Sequence, residues 1–306
     1  MSFNDASDIA PPISVRFWGV RGSVACPGPG TARYGGNTPC VEIRCGEHLF
    51  ILDAGTGIRP LGNMLVQSGL IHSFDILLSH CHIDHIVGFP FFAPLFAKDH
   101  VVRIWAGNLR SPCNIESTVR KVMSFPLFPL QIEALRATVE FRDFRAGEAL
   151  DLRSGVRVRT ASLNHPGGAT GYRIEHGGRS VAYVTDVEIG NGSIDQELLR
   201  LAQGVDLLIL DATYTDDELP SHIGWGHSSW QQGIKLANEA AVGRLCLFHH
   251  DPEHDDRFMD AIAKAAVAAR PGTLVASEGL HLELGPVGFT VPRHFLAPAT
   301  AAAASS

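Results

Sequence analysis

The apolar pattern of the chain opens with short β-rich runs: "ISVRFW" (13–18), "VEIRC" (41–45) and "HLFILDA" (48–54). Gly and Pro punctuate them, most densely in "CPGPGTARYGGNTP", which reads as loop. Residues 57–68 form a first helix by pattern, and "DILLS" (75–79) a buried strand. The apolar, aromatic "IVGFPFFAPLFAKD" predicts a helix interrupted near Pro90 or Pro94. A short helix over 113–124 and a Pro-broken aromatic turn follow. Strand-like runs resume at 138–144, 156–163, 170–175 and 179–185. "VDLLIL" (205–210) and "RLCLF" (244–248) are continuous apolar strands of the kind buried on both faces. They bracket a helix at about 227–242, and another is expected over 254–269. Strands followed by helix in each half predict an α/β fold: two mixed β-sheets packed together with helices outside, an αββα sandwich.

Length allows one large domain or two average ones. The expected organisation is a disordered start (1–12), one domain over 13–290 with an apolar insertion at about 88–130, and a flexible tail (291–306). Hydrophobic residues at 45% and charged residues at 19% fit a chain with a sizeable core. A formal charge of -7 argues against a broadly electropositive nucleic-acid binder. Six cysteines without a C-x-x-C pair read as reduced thiols, and the N-terminus lacks the basic start and apolar core of a signal peptide. No apolar run approaches the ~20 residues of a membrane helix. The expected place is therefore the cytoplasm. Fifteen histidines against four Tyr and four Trp point towards metal chemistry.

That chemistry is concentrated in "LLSHCHIDHIVGF", which packs His80, His82, Asp84 and His85 into six positions after an apolar strand. His165, Asp186 and the pair His249–His250 each follow later strands, where loops carry chemistry on a rigid frame. His227 stands in "GWGHSSW". Imidazole and carboxylate donors suit zinc, and also manganese or iron, while no cysteine pair offers a thiolate site. Two divalent ions about 3.5–4 Å apart need a bridging carboxylate, for which Asp186 is the natural choice.

"HCHIDH" matches the H-x-H-x-D-H signature of the metallo-β-lactamase superfamily, and His165, Asp186 and His249 follow in the order of its remaining ligands. The opening "RFWGVRGSVACPGPGTARYGGNTPCVEIRCGEHLFILDAGTG", with "VDLLILDATYTDDE" and "GHSSWQQGIKLANEAAVGRLCLFHHDP", resembles ribonuclease Z and related phosphodiesterases over nearly all of 13–285. This resemblance implies that His80, His82 and His165 hold one ion and Asp84, His85 and His249 the other, with Asp186 between them. It implies a phosphodiesterase working through a metal-bridging hydroxide, with Asp84 able to hold the nucleophile's proton and His227 donating to a phosphoryl oxygen or leaving group. The long basic arm with which ribonuclease Z grips transfer RNA has no counterpart here. The expected partner is thus a small phosphodiester, a cyclic nucleotide or ribose cyclic phosphate, rather than a large nucleic acid. A same-fold thioester or lactone hydrolase, or a metal-binding effector module without turnover, are the competing readings.

Around these residues, Asp53 is expected to orient a ligand histidine or stabilise a turn. Asn37 is expected to contact substrate or shape its Gly-Gly turn. His250 is expected to lie beside the metals or face substrate, with Asp251 and Asp255 as orienting carboxylates. Cys81 should point away from the metals. Arg21, Tyr214, Trp225 and the Phe residues of 89–96 are candidate pocket walls, and the 88–130 segment a lid or homodimer surface.

Overall fold

The structure, a computed structural model, describes residues 12–190, 192–285 and 288–290. The ends read as disordered lie outside the described residues, save for Pro12. Two sheets carry the architecture. The first holds β1 (Ile13–Gly19), β2 (Cys40–Cys45), β3 (His48–Leu52), β4 (Ser73–Leu78), β5 (Val101–Ala106) and β6 (Thr138–Asp143). The second holds β7 (Ala149–Arg153), β8 (Val156–Leu163), β9 (Ala169–His176), β10 (Arg179–Val184), β11 (Leu207–Asp211), β12 (Arg244–Phe248) and β13 (Leu274–Val275). The chain then returns to the first sheet with β14 (His281–Gly285) and β15 (Gly288–Thr290), giving the order β15-β14-β1-β2-β3-β4-β5-β6 against β13-β12-β11-β10-β9-β8-β7.

Each sheet is antiparallel on one side and parallel on the other. β3, β4, β5 and β6 run parallel, as do β10, β11, β12 and β13. Parallel strands are covered on both faces, which is why β4, β11 and β12 read as unbroken apolar runs. Between the sheets, Val15, Phe17, Ile43 and Phe50 meet Val158, Tyr172, Ile209 and Phe248. Phe248 is fully buried against Phe17 and Tyr183, a burial worth ~1.5–3 kcal/mol. Helices α1 (Ile58–Ser68), α2 (Ile83–Ile86) and α3 (Ile115–Val122) cover the outer face of the first sheet. Helices α4 (Gly192–Ala202), α5 (Trp230–Glu239) and α6 (Asp256–Ala269) cover that of the second. The αββα sandwich expected from the sequence is the one observed.

Three elements differ from the pattern reading. The interrupted helix expected around Pro90 and Pro94 is two short 3-10 turns, Phe89–Phe91 and Ala93–Phe96, broken at extended Phe92. Within the apolar 88–130 segment, Val101–Ala106 is a sheet strand paired with both β4 and β6. Helix α5 starts at Trp230, not near residue 227, because the Ser229 side chain accepts from Gln232 N and Gln232 returns a bond to the Ser229 backbone. His227 is thereby left in a loop. No helix among the described residues is long and apolar enough to cross a membrane.

Two tyrosines tie the sheets together at one end. The Tyr172 hydroxyl donates to Leu78 O at 2.6 Å and that of Tyr183 to Asp53 Oδ2 at 2.7 Å. This is the end where the parallel strands finish, the place in parallel sheets where ligands bind.

Candidate metal centre

Strand β4 delivers the chain to Ser79, and the next residues bend across the sandwich edge. His82 is extended, and α2 begins directly after it, so its single turn places Asp84 and His85 side by side in the interior. From the second sheet, His165 follows β8, Asp186 follows β10 and His249 follows β12. Asp186 and His249 adopt the left-handed backbone conformation, with φ of 56° and 62°. Non-glycine residues rarely accept this conformation, which costs ~1–2 kcal/mol.

These seven residues converge. The donor atoms of His80, His82 and His165 lie within 4.8 Å of one another, as do those of Asp84, His85 and His249. Asp186 divides its carboxylate between the two groups. Its Oδ2 is 3.7 Å from both His80 Nε2 and His165 Nε2, and its Oδ1 is 3.3 Å from His85 Nε2 and 3.2 Å from His249 Nε2. Asp84 Oδ2 lies 3.1 Å from His85 Nε2 and 3.4 Å from His249 Nε2. Proximity here is not hydrogen bonding: the Nε2 atoms of His80, His85 and His249 are buried and have no hydrogen-bond partner. Buried polar atoms without partners are costly, and several of them aimed at a common point beside two carboxylates fit a bound cation. The nitrogen and oxygen donor set fits a divalent metal.

The opposite edges of the rings are held. His80 Nδ1 is 3.0 Å from Ser79 Oγ, His85 Nδ1 is 2.8 Å from Asp53 Oδ2, His165 Nδ1 donates to Gly226 O at 2.9 Å, and His249 Nδ1 is 3.1 Å from Thr213 Oγ1. Fixing one nitrogen directs the other inward. Asp53 is fully buried and also accepts from Ser79 N, Ser79 Oγ and Tyr183. It therefore orients His85, the first of its two expected roles. Burial works against the charge of Asp84 and Asp186, but the surrounding imidazoles hold both carboxyls well below the usual carboxylate range. The cluster thus calls for positive charge, which a metal supplies in place of protons.

His227 joins the rim. Its donor atom groups with those of His165 and Asp186, and its ring stacks on His249 with centroids 4.9 Å apart. His227 Nδ1 donates to Asp211 Oδ2 at 2.7 Å. Burial opposes the imidazolium, but Asp211 outweighs it and raises His227 to about 9. Asp211 ends β11 as Asp53 and Asp186 follow their strands; that position was its only signal in the sequence. Its Oδ1 accepts from Thr213 N and Thr213 Oγ1.

Other expected site residues lie elsewhere. His250 turns into the core, with Nε2 2.8 Å from Ala276 O, and burial lowers it to about 3. It neither joins the cluster nor faces substrate, because successive residues leaving a strand point in opposite directions. Asp251 accepts from Glu253 N and Asp255 from Phe258 N. The first acts in a turn and the second as the cap of α6, and neither orients a ligand. Asn37 donates from Nδ2 to Glu278 and accepts from Thr56 at Oδ1, so its side chain ties its loop to two distant segments instead of closing its own turn. Cys81 packs with the outer core of the first sheet, away from the cluster as expected. Arg21 is no pocket wall: it is fully buried. Tyr214 stacks on His222, and Trp225, 60% exposed, meets the edge of His222.

Residues 48–250 match the model of the beta-lactamase superfamily domain. The chain belongs to the metallo-β-lactamase superfamily. Its similarities among curated and solved proteins include ribonucleases. It is 28% identical to ribonuclease BN of Salmonella typhimurium over 278 residues, covering 74% of this chain and 87% of that protein. The metallo-β-lactamase fold protein YhfI of Bacillus subtilis superposes with a TM-score of 0.66 at 20% identity, over 89% of this chain and 99% of its own. The short form of human tRNase Z superposes with 0.62 at 19%, over 88% and 98%. The superfamily, these similarities and the histidine–aspartate cluster together support a metal-dependent hydrolase.

Proposed function

We propose that the protein is a dinuclear phosphodiesterase acting on a small substrate, a cyclic nucleotide or ribose cyclic phosphate. One observation carries the reading: the two oxygens of Asp186 face two separate histidine groups. His80, His82 and His165 would hold one ion, zinc by preference, with manganese or iron compatible with the same donors. Asp84, His85 and His249 would hold the other. When bound, such ions supply Lewis acidity towards phosphate oxygens and acidify water.

The chain's own groups supply the rest. Ser23 N donates to Asp84 Oδ2 at 2.9 Å, which fixes the carboxylate that would take the proton of an attacking water. Asp211 holds His227 Nδ1–H, so Nε2–H is the edge free to meet the substrate. Water attacks phosphorus and gives up a proton to Asp84, the P–O ester bond breaks, and His227 Nε2–H passes its proton to the departing oxygen. General acid help of this kind is worth ~10²–10⁴-fold. The ribonuclease names of the curated relatives favour a phosphodiester over a thioester or lactone.

The test is hydrolysis of bis-p-nitrophenyl phosphate beside a β-lactam and a thioester, with metal analysis of the same sample. Turnover of the phosphodiester with two ions per chain is expected. His227→Ala should lose at least ~10²-fold in rate with metal content unchanged. One ion per chain, or thioester turnover alone, would sink the proposal.

A further inference from the structure

Two concavities of similar size lie at opposite ends of the strands. One, of about 990 Å³, is lined by Arg153, Arg173 and Arg179 beside the β9–β10 turn. Of its four arginines Arg153 pairs with Asp75, Arg173 with Glu175 and Arg179 with Asp206, and the fourth, Arg157, shares the wall with Asp151, Glu175 and Asp206, so acids offset its charge. The other, of about 920 Å³, has His165 in its wall and so borders the candidate metal centre. The loops after β5, β6 and β8 form it, and they bring Asn108, Arg110, Arg145, Gly167 and Gly168 together.

The charge of this second groove is at odds with the chain. Acidic residues outnumber basic ones by 32 to 25, yet no Asp or Glu lines it. Arg110 and Arg145 both reach its walls, and among the described residues neither guanidinium has an ion-pair or hydrogen-bond partner. Arginine offers a fixed fork of donors matched to phosphate oxygens, and two unpaired forks in a concave, acid-free site attract anions. The floor is ordered and open. Asn108 Nδ2 donates to Gly168 O at 3.0 Å, and Gly167 and Gly168 take φ of 82° and 79° with nothing within 4 Å of where a Cβ would stand. A ligand can therefore approach the backbone next to His165.

We infer that this groove binds a second phosphate carried by the substrate, with Arg110 and Arg145 as its counter-charges. The inference rests on the phosphodiesterase reading and narrows it: the preferred small phosphodiester carries a further phosphate beyond the one that is cleaved.

The probes are thymidine 5′-(p-nitrophenyl phosphate) with and without a 3′-phosphate, assayed at low salt. The 3′-phosphate should raise kcat/KM by about tenfold. The double variant Arg110→Ala/Arg145→Ala should remove most of that ratio, and Arg110→Lys/Arg145→Lys should keep part of it. Arg142→Ala, an exposed arginine paired with Glu140, serves as the control that leaves the ratio alone. A ratio near one in the native protein, or a ratio unmoved by the double alanine variant, overturns the inference. Calorimetric binding of thymidine 3′,5′-bisphosphate gives a reading free of turnover, with about tenfold weaker affinity expected in the double variant. If neither ester is hydrolysed the phosphodiesterase reading fails, and this binding difference alone decides the groove.

Discussion

Replacing Arg21 with Met should separate a structural clamp from a pocket wall. Arg21 is completely buried without a carboxylate on its guanidinium. Nε and Nη2 donate to Gly35 O at 3.2 and 3.0 Å, and Nη1 donates to Asp251 O at 2.9 Å and His254 O at 2.8 Å. One cation therefore ties the glycine-rich loop after β1 to the loop after β12. Met fills most of the volume but leaves two carbonyls, Gly35 O and His254 O, without donors in buried settings, whereas Asp251 O keeps the bond from His254 N at 3.1 Å. Two orphaned carbonyls cost ~2–6 kcal/mol, and relief of the guanidinium's own desolvation offsets part of it. The net expectation is a loss of ~3 kcal/mol, or about 5 °C in Tm for a chain of this size. Arg21→Lys, which keeps the charge but not the fork, should lose about half as much. The clamp also reaches the metal centre. A Cβ on Gly22 would lie 2.5 Å from His249 Nδ1, and Ser23 N bonds Asp84, so slack at Arg21 loosens one ligand group. Thermal unfolding by calorimetry and the rate of metal loss to a chelator measure the two effects. A Tm within ~1 °C of the parent with unchanged metal release would refute the clamp.

Two further substitutions probe the site itself. Asp211→Asn leaves the fold and the metal content intact but removes the acceptor that sets the His227 tautomer, so kcat should fall by ~10²–10⁴-fold. A loss below threefold would show that Asp211 does not act through His227. Gly226→Ala puts a methyl 2.2 Å from His165 Nδ1 at a φ of 87°, which should displace His165 and cost ~1–2 kcal/mol. Metal analysis should then fall towards one ion per chain, and retention of two would mean that His165 is not needed to hold the second.

The parts of the site that were legible in the sequence share one property: the chemistry lies next to a strong local pattern. Three histidines and an aspartate packed behind an apolar strand announce themselves, and Asp186 and His249 each follow a run that can only be a buried strand. Asp211 satisfies the same rule but is followed by "ATY", with no second donor nearby. Its meaning depends on His227, 16 positions later, reached across β11 and the cap of α5. His250, Asp251 and Asn37 err in the other direction. Closeness in sequence to a ligand or a glycine turn suggested function, but strand-end alternation for His250, a turn hydrogen bond for Asp251 and a long-range tie to Glu278 for Asn37 decided their places. Strand β5 was hidden for a different reason. Its neighbours Pro90 and Pro94 dominate the local pattern, while its pairing with β4 and β6 is set by residues some thirty positions away on either side.

What no pattern could reveal is where the backbone is strained. Among the described residues, six non-glycine positions take a positive φ, and three of them are Asp53, Asp186 and His249. Each follows a strand whose side chains are buried to its end, so the chain must turn at once or run on into solvent. Glycine would make that turn at no steric cost. The chain instead spends ~1–2 kcal/mol at each of three strand ends to keep a carboxylate or an imidazole there. Strain of this kind persists only where the surroundings over-determine it. Here the surroundings are the bonds of Asp53 to Ser79, Tyr183 and His85, and those of Thr213 to both the ring and the carbonyl of His249. The donors are therefore fixed before any ion arrives, because the energy that holds them comes from the folding of the sandwich and not from the metal.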